Sequence, residues 1–284
     1  MALFTNQATL SYNDTVTTSN VTTGELLEVL SITKTSASDT YAQQDTVTYV
    51  VSITNTGTVP FTALIVTDDL GGYTFDGSTL YPLTYVTGSA LYYINGVLQA
   101  TPAIAPGPPL VFTGINVPAG GNALLVYEAA ANQYAPPTAG SSITNEATAD
   151  GGGLSTPISD TAIVSAESGP QLTISKSLCP LTVSENGQLT YTFVIQNTGN
   201  TAAVATDNAA ITDTFNPALS GITVTFNGAV WTAGTDYTYD EATGAFATLP
   251  GVITVPAATF AQDAVTGEWS VTPGVSTLTV TGTI

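Results

Sequence analysis

Basic side chains are almost absent from this chain, which has no histidine, no arginine and only two lysines among 284 residues. Without imidazole, a Ser-His-Asp or Cys-His nucleophilic site is excluded, and so are the common zinc and haem ligand sets. The 21 Asp and Glu residues give a formal net charge of −19. Nucleic acid and anionic membranes are therefore not expected partners, since binding to both depends on Lys and Arg. No metal, no cofactor and no enzyme activity towards another molecule is predicted.

Cysteine and long apolar runs are also scarce. Cys179 is the single cysteine, so no disulfide can form within one chain, and we interpret it as a small apolar core residue. No apolar run approaches the roughly 18 residues of a membrane span. The start MALFTNQ lacks a basic region and a long apolar region, so no signal peptide is predicted. Either a leader has been removed or the protein is made where it assembles, for example inside a cell that later lyses.

What the chain does contain is short runs of Thr, Val, Ile and Tyr, punctuated by Gly, Pro and Asn. This pattern predicts an all-β fold of sandwich type. A repeat is visible within it. The matching segments are SITKTSA (31–37) with TISKSLC (173–179), DTVTYVVSITNTG (45–57) with GQLTYTFVIQNTG (187–199), LIVTDDL (64–70) with AITDTFN (210–216), YYINGVL (92–98) with VTFNGAV (224–230), and VPAGGNALLVYEA (117–129) with TPGVSTLTVTGTI (272–284).

The second copy stops where the first continues for about another 35 residues. We therefore predict N-terminal donor strands at 1–29, a complete repeat at 30–168 (the first unit), and a repeat at 169–284 (the second unit) that lacks its last two strands. The comparable spare sequence lies at the amino terminus: TNQATLS (5–11) resembles TNEATAD (144–150), and SNVTTGE (19–25) resembles SDTAIVS (159–165).

A sandwich without its closing strands leaves a strand edge unpaired and a core groove open to water. At about 25 cal/mol per Å² of apolar surface, a groove of several hundred Å² forfeits on the order of 10 kcal/mol. A segment of a neighbouring subunit can supply both the backbone pairing and the missing side chains, as in donor-strand complementation. The alternative is a closed monomer, in which the amino terminus folds back across the first unit. Residues 22–33 leave little slack for it, so we favour donation, which propagates head to tail into a filament.

Both lysines occupy the same repeat position, and strand alternation predicts that they point inward. Three side-chain types share this register in an early, a middle and a late strand. They are Lys34, Asp68 and Asn145 in the first unit, and Lys176 and Asp213 in the second, with Asn6 at the corresponding position of the amino-terminal copy. Burial favours a neutral, nucleophilic lysine amine. Beside an Asn carboxamide and a protonated Asp, such an amine can form a Lys–Asn isopeptide bond. The alternatives are a buried Lys–Asp ion pair with Asn as a neighbour and a lysine that reaches solvent at a strand end.

The order of Lys, a TYxxxIxNTG-like strand, VTD and a late TNxAT resembles the bacterial surface-protein repeat known as domain of unknown function eleven. The resemblance implies an immunoglobulin-like sandwich on a bacterial surface, often crosslinked by Lys–Asn isopeptide bonds. The size, the missing leader and the split repeat further resemble ribbon- or pilus-like appendage subunits on spores of anaerobic spore-formers. By this resemblance Lys34, Asp68 and Asn145 form a bond within the first unit. Lys176 and Asp213 then receive Asn6 from a neighbouring subunit.

The expected function is therefore that of a structural subunit of an extracellular filament on a bacterial spore or cell surface. Its expected partners are copies of itself and a surface or spore-coat anchoring protein. The alternative is a stalk or adhesin module that presents a binding surface, for which the sequence shows no sorting signal or aromatic-rich patch. Fold alone does not separate these two functions.

Overall fold

The computed structural model describes residues 2–284; Met1, the first residue of the predicted donor segment, lies outside the described residues. Residues 2–284 form 28 strands and one short 3-10 helix, Ala205–Asp207. The prediction of an all-β fold of sandwich type is confirmed. Across the same residues, no helix has the length and apolar character needed to cross a bilayer.

The amino-terminal strands form an arm, residues 2–29, whose strands pair with one another. They are β1 (Ala2–Asn6), β2 (Thr9–Tyr12), β3 (Thr15–Thr18) and β4 (Thr22–Leu26). β1 pairs with β4 and β2 with β3, so the arm is a long two-stranded hairpin. Every side chain from Leu3 to Glu28 is exposed. The arm therefore does not fold back into the core of either unit, which argues against the closed monomer.

The first unit is a two-sheet sandwich with a continuous core. Its strands are β5 (Leu30–Ser36), β6 (Thr40–Tyr41), β7 (Thr46–Asn55), β8 (Phe61–Asp68), β9 (Tyr73–Phe75), β10 (Ser78–Leu80), β11 (Leu83–Tyr85), β12 (Leu91–Ile94), β13 (Val97–Leu98), β14 (Ala103–Ala105), β15 (Leu110–Val117), β16 (Asn122–Ala131), β17 (Ser142–Gly151) and β18 (Ile158–Ala166). One sheet has the order β13-β12-β16-β7-β5, with β11 also on β16. The other has the order β14-β15-β8-β17-β18-β6.

The second unit has its own core and repeats part of this architecture. Its strands are β19 (Leu172–Cys179), β20 (Gln188–Asn197), β21 (Thr212–Thr214), β22 (Ser220–Phe226), β23 (Ala229–Val230), β24 (Tyr237–Asp240), β25 (Ala245–Thr248), β26 (Thr259–Gln262), β27 (Trp269–Thr272) and β28 (Gly274–Thr283). The sheet β19-β20-β28-β22-β23 has the strand order of β5-β7-β16-β12-β13 in the first unit.

The other sheet of the second unit has only three strands within the described residues, in the order β24-β25-β21. This order corresponds to β14-β15-β8, and the positions that β17, β18 and β6 occupy in the first unit are empty. In the first unit β8 pairs with β15 on one side and β17 on the other. Within the described residues β21 pairs only with β25, so its other edge is free.

The empty flank exposes apolar side chains that are buried in the first unit. Leu30 and Ile32 are 8% and 9% exposed, whereas their counterparts Leu172 and Ile174 are 38% and 55% exposed. These two residues, with Ile195, Ala209, Ile211 and Ile253, line an apolar groove, which we call the open groove. Cys179, at the end of β19, is exposed. The interpretation of Cys179 as a core residue is wrong because it lies on the face of β19 opposite to Ile174 and Leu178, and its counterpart Ala37 is exposed as well.

A hairpin present only in the second unit joins the two units. β26 and β27 replace the short turn at 118–121 of the first unit and reach back to it. There the backbone N–H of Trp269 donates to the Gln133 carbonyl at 2.9 Å, and Gln262 Nε2 donates to the Tyr73 hydroxyl at 3.2 Å.

The last repeat match also shifts by two residues in the structure. Tyr127 pairs with Tyr49, and Val280 pairs with Tyr191, so Tyr127 corresponds to Val280 and not to Gly282, as the sequence match implied. A two-residue shift keeps the same face of a strand inward, because side chains alternate with a period of two. The inserted hairpin accounts for the difference in length.

Candidate functional site

The predicted side chains of the first unit converge in its core. Lys34 on β5 and Asp68 on β8 lie 2.5 Å apart, Nζ to Oδ2, although they belong to different sheets. Their side chains are 0% and 1% exposed. The lysine therefore does not reach solvent at a strand end, and that alternative is wrong for Lys34.

Asp68 is held by further hydrogen bonds. The Tyr127 hydroxyl, from β16, donates to Oδ2, and the Leu70 N–H donates to Oδ1 at 2.9 Å. Burial raises the pKa of Tyr127 well above its ordinary value, and the nearby Asp68 carboxyl acts in the same direction. Tyr127 therefore keeps its proton and remains a donor, which fixes the position of Asp68 next to the amine.

Asn145 lies on β17, the strand that pairs with the Asp68 strand β8 in one of the two sheets. Ala147 faces Asp68 across the β8–β17 ladder, and Asn145 is the next inward residue along the strand. Asn145 is fully buried, yet neither atom of its carboxamide has a hydrogen-bond partner among the described residues. The Tyr49 side chain lies between the two groups: its hydroxyl is beside Asn145, and its ring centroid is 5.0 Å from Lys34 Nζ.

An unbonded buried amide is costly, by about 1–3 kcal/mol. Burial also lowers the pKa of Lys34, although Asp68 acts in the opposite direction. The core thus holds the Lys34 amine, whose lowered pKa favours its neutral form, and the Asp68 carboxyl group, which is hydrogen-bonded to that amine. It also holds the Asn145 carboxamide, whose donor and acceptor atoms have no hydrogen-bond partner among the described residues. These are the groups that an amide exchange between Lys and Asn requires.

The second unit assembles the same pair in an open setting. Lys176 Nζ forms an ion pair with Asp213 Oδ2. Their side chains are 38% and 18% exposed, against 0% and 1% in the first unit. Three aromatic rings surround the amine, with centroids 4.3, 5.3 and 5.4 Å from Nζ; they belong to Tyr191, Phe215 and Phe193.

Asn6 is not part of this site within one chain. It lies on β1 of the arm, exposed and paired with Thr22. In β1 and β4 the arm nevertheless has the register of the closing strands of the first unit. In β2 and β3 the register differs by one residue, because Thr9 faces Thr18, whereas the matching Thr148 faces Ser159. Asn6 faces Thr22 as Asn145 faces Ala162. One pair further along, Phe4 faces Gly24 as Ile143 faces Val164.

Three functional residues escaped the sequence prediction. Tyr127 and Tyr49 were inward-facing aromatics, indistinguishable from core packing by their alternation alone. Asp160 on β18 accepts a hydrogen bond from the Lys34 N–H at 2.7 Å, which connects the closing strand to the first strand of the unit. Among residues 2–284, no group of three or more His, Cys, Asp or Glu could hold a metal ion.

No protein-family model matches the chain, and no curated protein matches it. Solved structures do show a likeness. The pilus backbone RrgB from Streptococcus pneumoniae is 13% identical with a TM-score of 0.35, and the match covers 86% of this chain and 55% of that chain, little more than half its length. BcpA, the major pilin subunit of Bacillus cereus, is 13% identical with a TM-score of 0.36, covering 95% of this chain and 73% of that chain.

A collagen adhesin (CNA) from S. aureus gives a further match, 9% identical with a TM-score of 0.30, covering 52% of this chain and 55% of that chain. At these identities and scores, none of the three carries its function over to this chain.

Proposed function

We propose that this protein is a structural subunit that polymerises head to tail into an extracellular filament on a bacterial spore or cell surface. One observation carries the proposal: the second unit has an open groove where the first unit has β17 and β18, and the β1–β4 part of the arm has the register of those two strands. The resemblance to domain of unknown function eleven points to the same setting.

The register determines how the arm docks. With β1 in the place of β17, the sequence match of Ala8 to Ala147 puts Ala8 opposite Asp213 of the acceptor, as Ala147 faces Asp68 in the first unit. Asn6 then lies beside Lys176 and Asp213, in the position of Asn145. The Phe4 ring, which lies across Gly24, presents its apolar surface to the acceptor core where Ile143 and Val164 pack in the first unit.

The donated strands also satisfy the free edge of β21. An unpaired edge offers a row of N–H and C=O groups, which an added strand satisfies at once. Each subunit has one arm and one open groove at different places on its surface, so the contact is heterologous. Contacts of this kind do not close on themselves unless they form a ring, and the product is an open filament.

We further propose that both sites form Lys–Asn isopeptide bonds, within the first unit and between subunits. The lysine amine attacks the asparagine side-chain carbonyl, and a C–N bond to lysine forms while the C–NH₂ bond breaks. Asp68 or Asp213 passes the amine proton to the leaving group, which departs as ammonia. Lys34 then joins Asn145 in the first unit, and Lys176 joins Asn6 of the neighbour.

The groove supplies the test of filament formation. Ile174 is 55% exposed and lines the groove, whereas Val230 is 73% exposed and lies outside it. Ile174→Lys should leave the subunit folded but place a charge where the arm must bury apolar surface. We expect monomers from Ile174→Lys and filaments from the control Val230→Lys, by electron microscopy and gel filtration. Filaments of normal length from Ile174→Lys would refute the donor model.

The bond of the first unit is tested by mass. The intact subunit should be lighter than its sequence by one ammonia molecule, and Lys34→Ala should restore the full sequence mass. The control Lys176→Ala in the monomer should keep the loss. Lys34→Ala should also lower the free energy of unfolding by about 2–5 kcal/mol, the range for loss of a native covalent crosslink, because β5 and β17 are then no longer joined; denaturant titration measures this. A wild-type subunit with full sequence mass would show that the bond does not form.

A further inference from the structure

The contact between the two units of one chain provides a template for the contact between two subunits. Within the chain, Asn200 Nδ2 donates to the carbonyls of Pro137 and Glu167 at 3.1 and 2.6 Å. Around these bonds, Ala42 of the first unit and Gly199 of the second line the same cleft. We call this contact the internal joint.

Part of these two surfaces recurs at the outer ends of the chain; Thr58 stands in the place of Asn200, and Pro137 has no counterpart in the second unit. From Lys34 to Gly57 the two repeats are offset by 142 residues, because Lys34 matches Lys176 and Gly57 matches Gly199. Residues 198–200 of the internal joint therefore correspond to 56–58 of the first unit. Residues 41–43 correspond to 183–185 of the second unit. Both segments carry exposed residues, among them Thr58 and Ser184.

Each outer end carries an exposed apolar side chain at a position that is polar in the other unit. Val59 is 69% exposed and Leu181 is 86% exposed. Their counterparts in the other repeat are Thr201 and Asp39. Exposed apolar side chains at two matched surfaces favour a contact in which both become buried.

The connection out of the arm brings these surfaces together. Leu26 corresponds to Ala166, the last residue of β18, by the shared register of the two hairpins. Five residues, 167–171, connect Ala166 to the second unit, but only three, 27–29, connect Leu26 to Leu30. Fully extended, the path from Leu26 to Leu30 spans at most about 14 Å. A docked arm therefore holds the donor's first unit directly against the acceptor's second unit.

From this we infer an outer joint between subunits, in which residues 56–59 of the donor contact residues 181–185 of the acceptor, a second copy of this chain. The inference rests on the proposed function and adds to it the surfaces and their polarity. All units then follow one another in single file, with the outer joint alternating with the internal joint.

Disulfide trapping in the full chain tests the outer joint. The background carries Cys179→Ala, to remove the native thiol, and Lys176→Ala, so that no isopeptide bond links subunits. Thr58→Cys with Ser184→Cys should give, after mild oxidation, a ladder of multimers in detergent that a reductant abolishes. The matched control pairs Thr58→Cys with Val265→Cys. Val265 is 91% exposed on the β26–β27 hairpin, at the opposite end of the second unit, and should give no ladder.

Electron microscopy of the same samples separates two failures. Filaments without a Thr58–Ser184 ladder, or with an equal ladder from the Val265 control, overturn the outer joint and leave strand donation intact. An absence of filaments from both samples and from the unmodified chain overturns strand donation, and the outer joint with it.

Discussion

Deleting residues 2–26 is expected to abolish filaments and leave a monomer with an open groove. The arm side chains are exposed in the isolated chain, so their removal costs the fold of the two units little. Assembly, in contrast, loses the apolar surface that the arm buries in the groove. At about 25 cal/mol per Å², several hundred Å² correspond to on the order of 10 kcal/mol before the cost of association. Electron microscopy and light scattering measure the outcome directly.

A pair of point variants makes the same test without shortening the chain. Phe4 and Leu3 are adjacent and similarly exposed, at 59% and 73%, but they lie on opposite faces of β1. Only Phe4 shares the face of Asn6 that docks into the acceptor. Phe4→Asp should therefore give monomers, whereas Leu3→Asp should still assemble. Equal behaviour of the two variants, or filaments from the chain without its arm, would mean that the arm is not the donor.

Lys176→Ala is expected to change the strength of the filaments and not their formation. The wild-type assembly should survive boiling in detergent as a ladder of multimers. The mass of each multimer should be lower by one ammonia molecule for every bond between two subunits. Without the Lys176 amine, no bond to Asn6 can form, and only strand pairing and apolar contact remain. Those contacts are reversible, so the variant should run as a single band of monomer on a denaturing gel.

The site offers controls for this experiment on both sides of the bond. Asn6→Ala removes the partner carboxamide and should reproduce Lys176→Ala. Lys34→Ala removes only the bond within the first unit and should keep the ladder between subunits. A boiling-resistant ladder in Lys176→Ala would exclude this lysine as the crosslinking residue, even if the filaments themselves form as expected.

Much of the fold could be predicted because the two repeats share their spacing. Lys and Tyr stand 15 residues apart in both copies, which sets β5 against β7 and β19 against β20 in the same register. Alternation placed Leu30, Ile32 and Lys34 inward, and all three are buried. The β26–β27 hairpin could not be foreseen, because an insertion has no counterpart in the first repeat to reveal its length.

The pairing of Lys34 with Asp68 could be predicted from register, because both are charged residues on inward faces. The tyrosine hydroxyls that surround this pair could not be predicted. Tyr127 and Tyr49 looked like core aromatics, and only the packing of one sheet on the other brings their hydroxyls to Asp68 and Asn145. The lack of any partner for the Asn145 carboxamide is likewise a property of the packed core.

The β26–β27 hairpin has a mechanical consequence for any filament built in this way. It joins the two units of one chain by hydrogen bonds from Trp269 and Gln262 to the first unit, whereas the matching turn at 118–121 is too short to reach a neighbouring subunit. Stiff and compliant connections therefore alternate along the fibre. Bending concentrates at every second connection, so the fibre flexes as a chain of rigid two-unit rods.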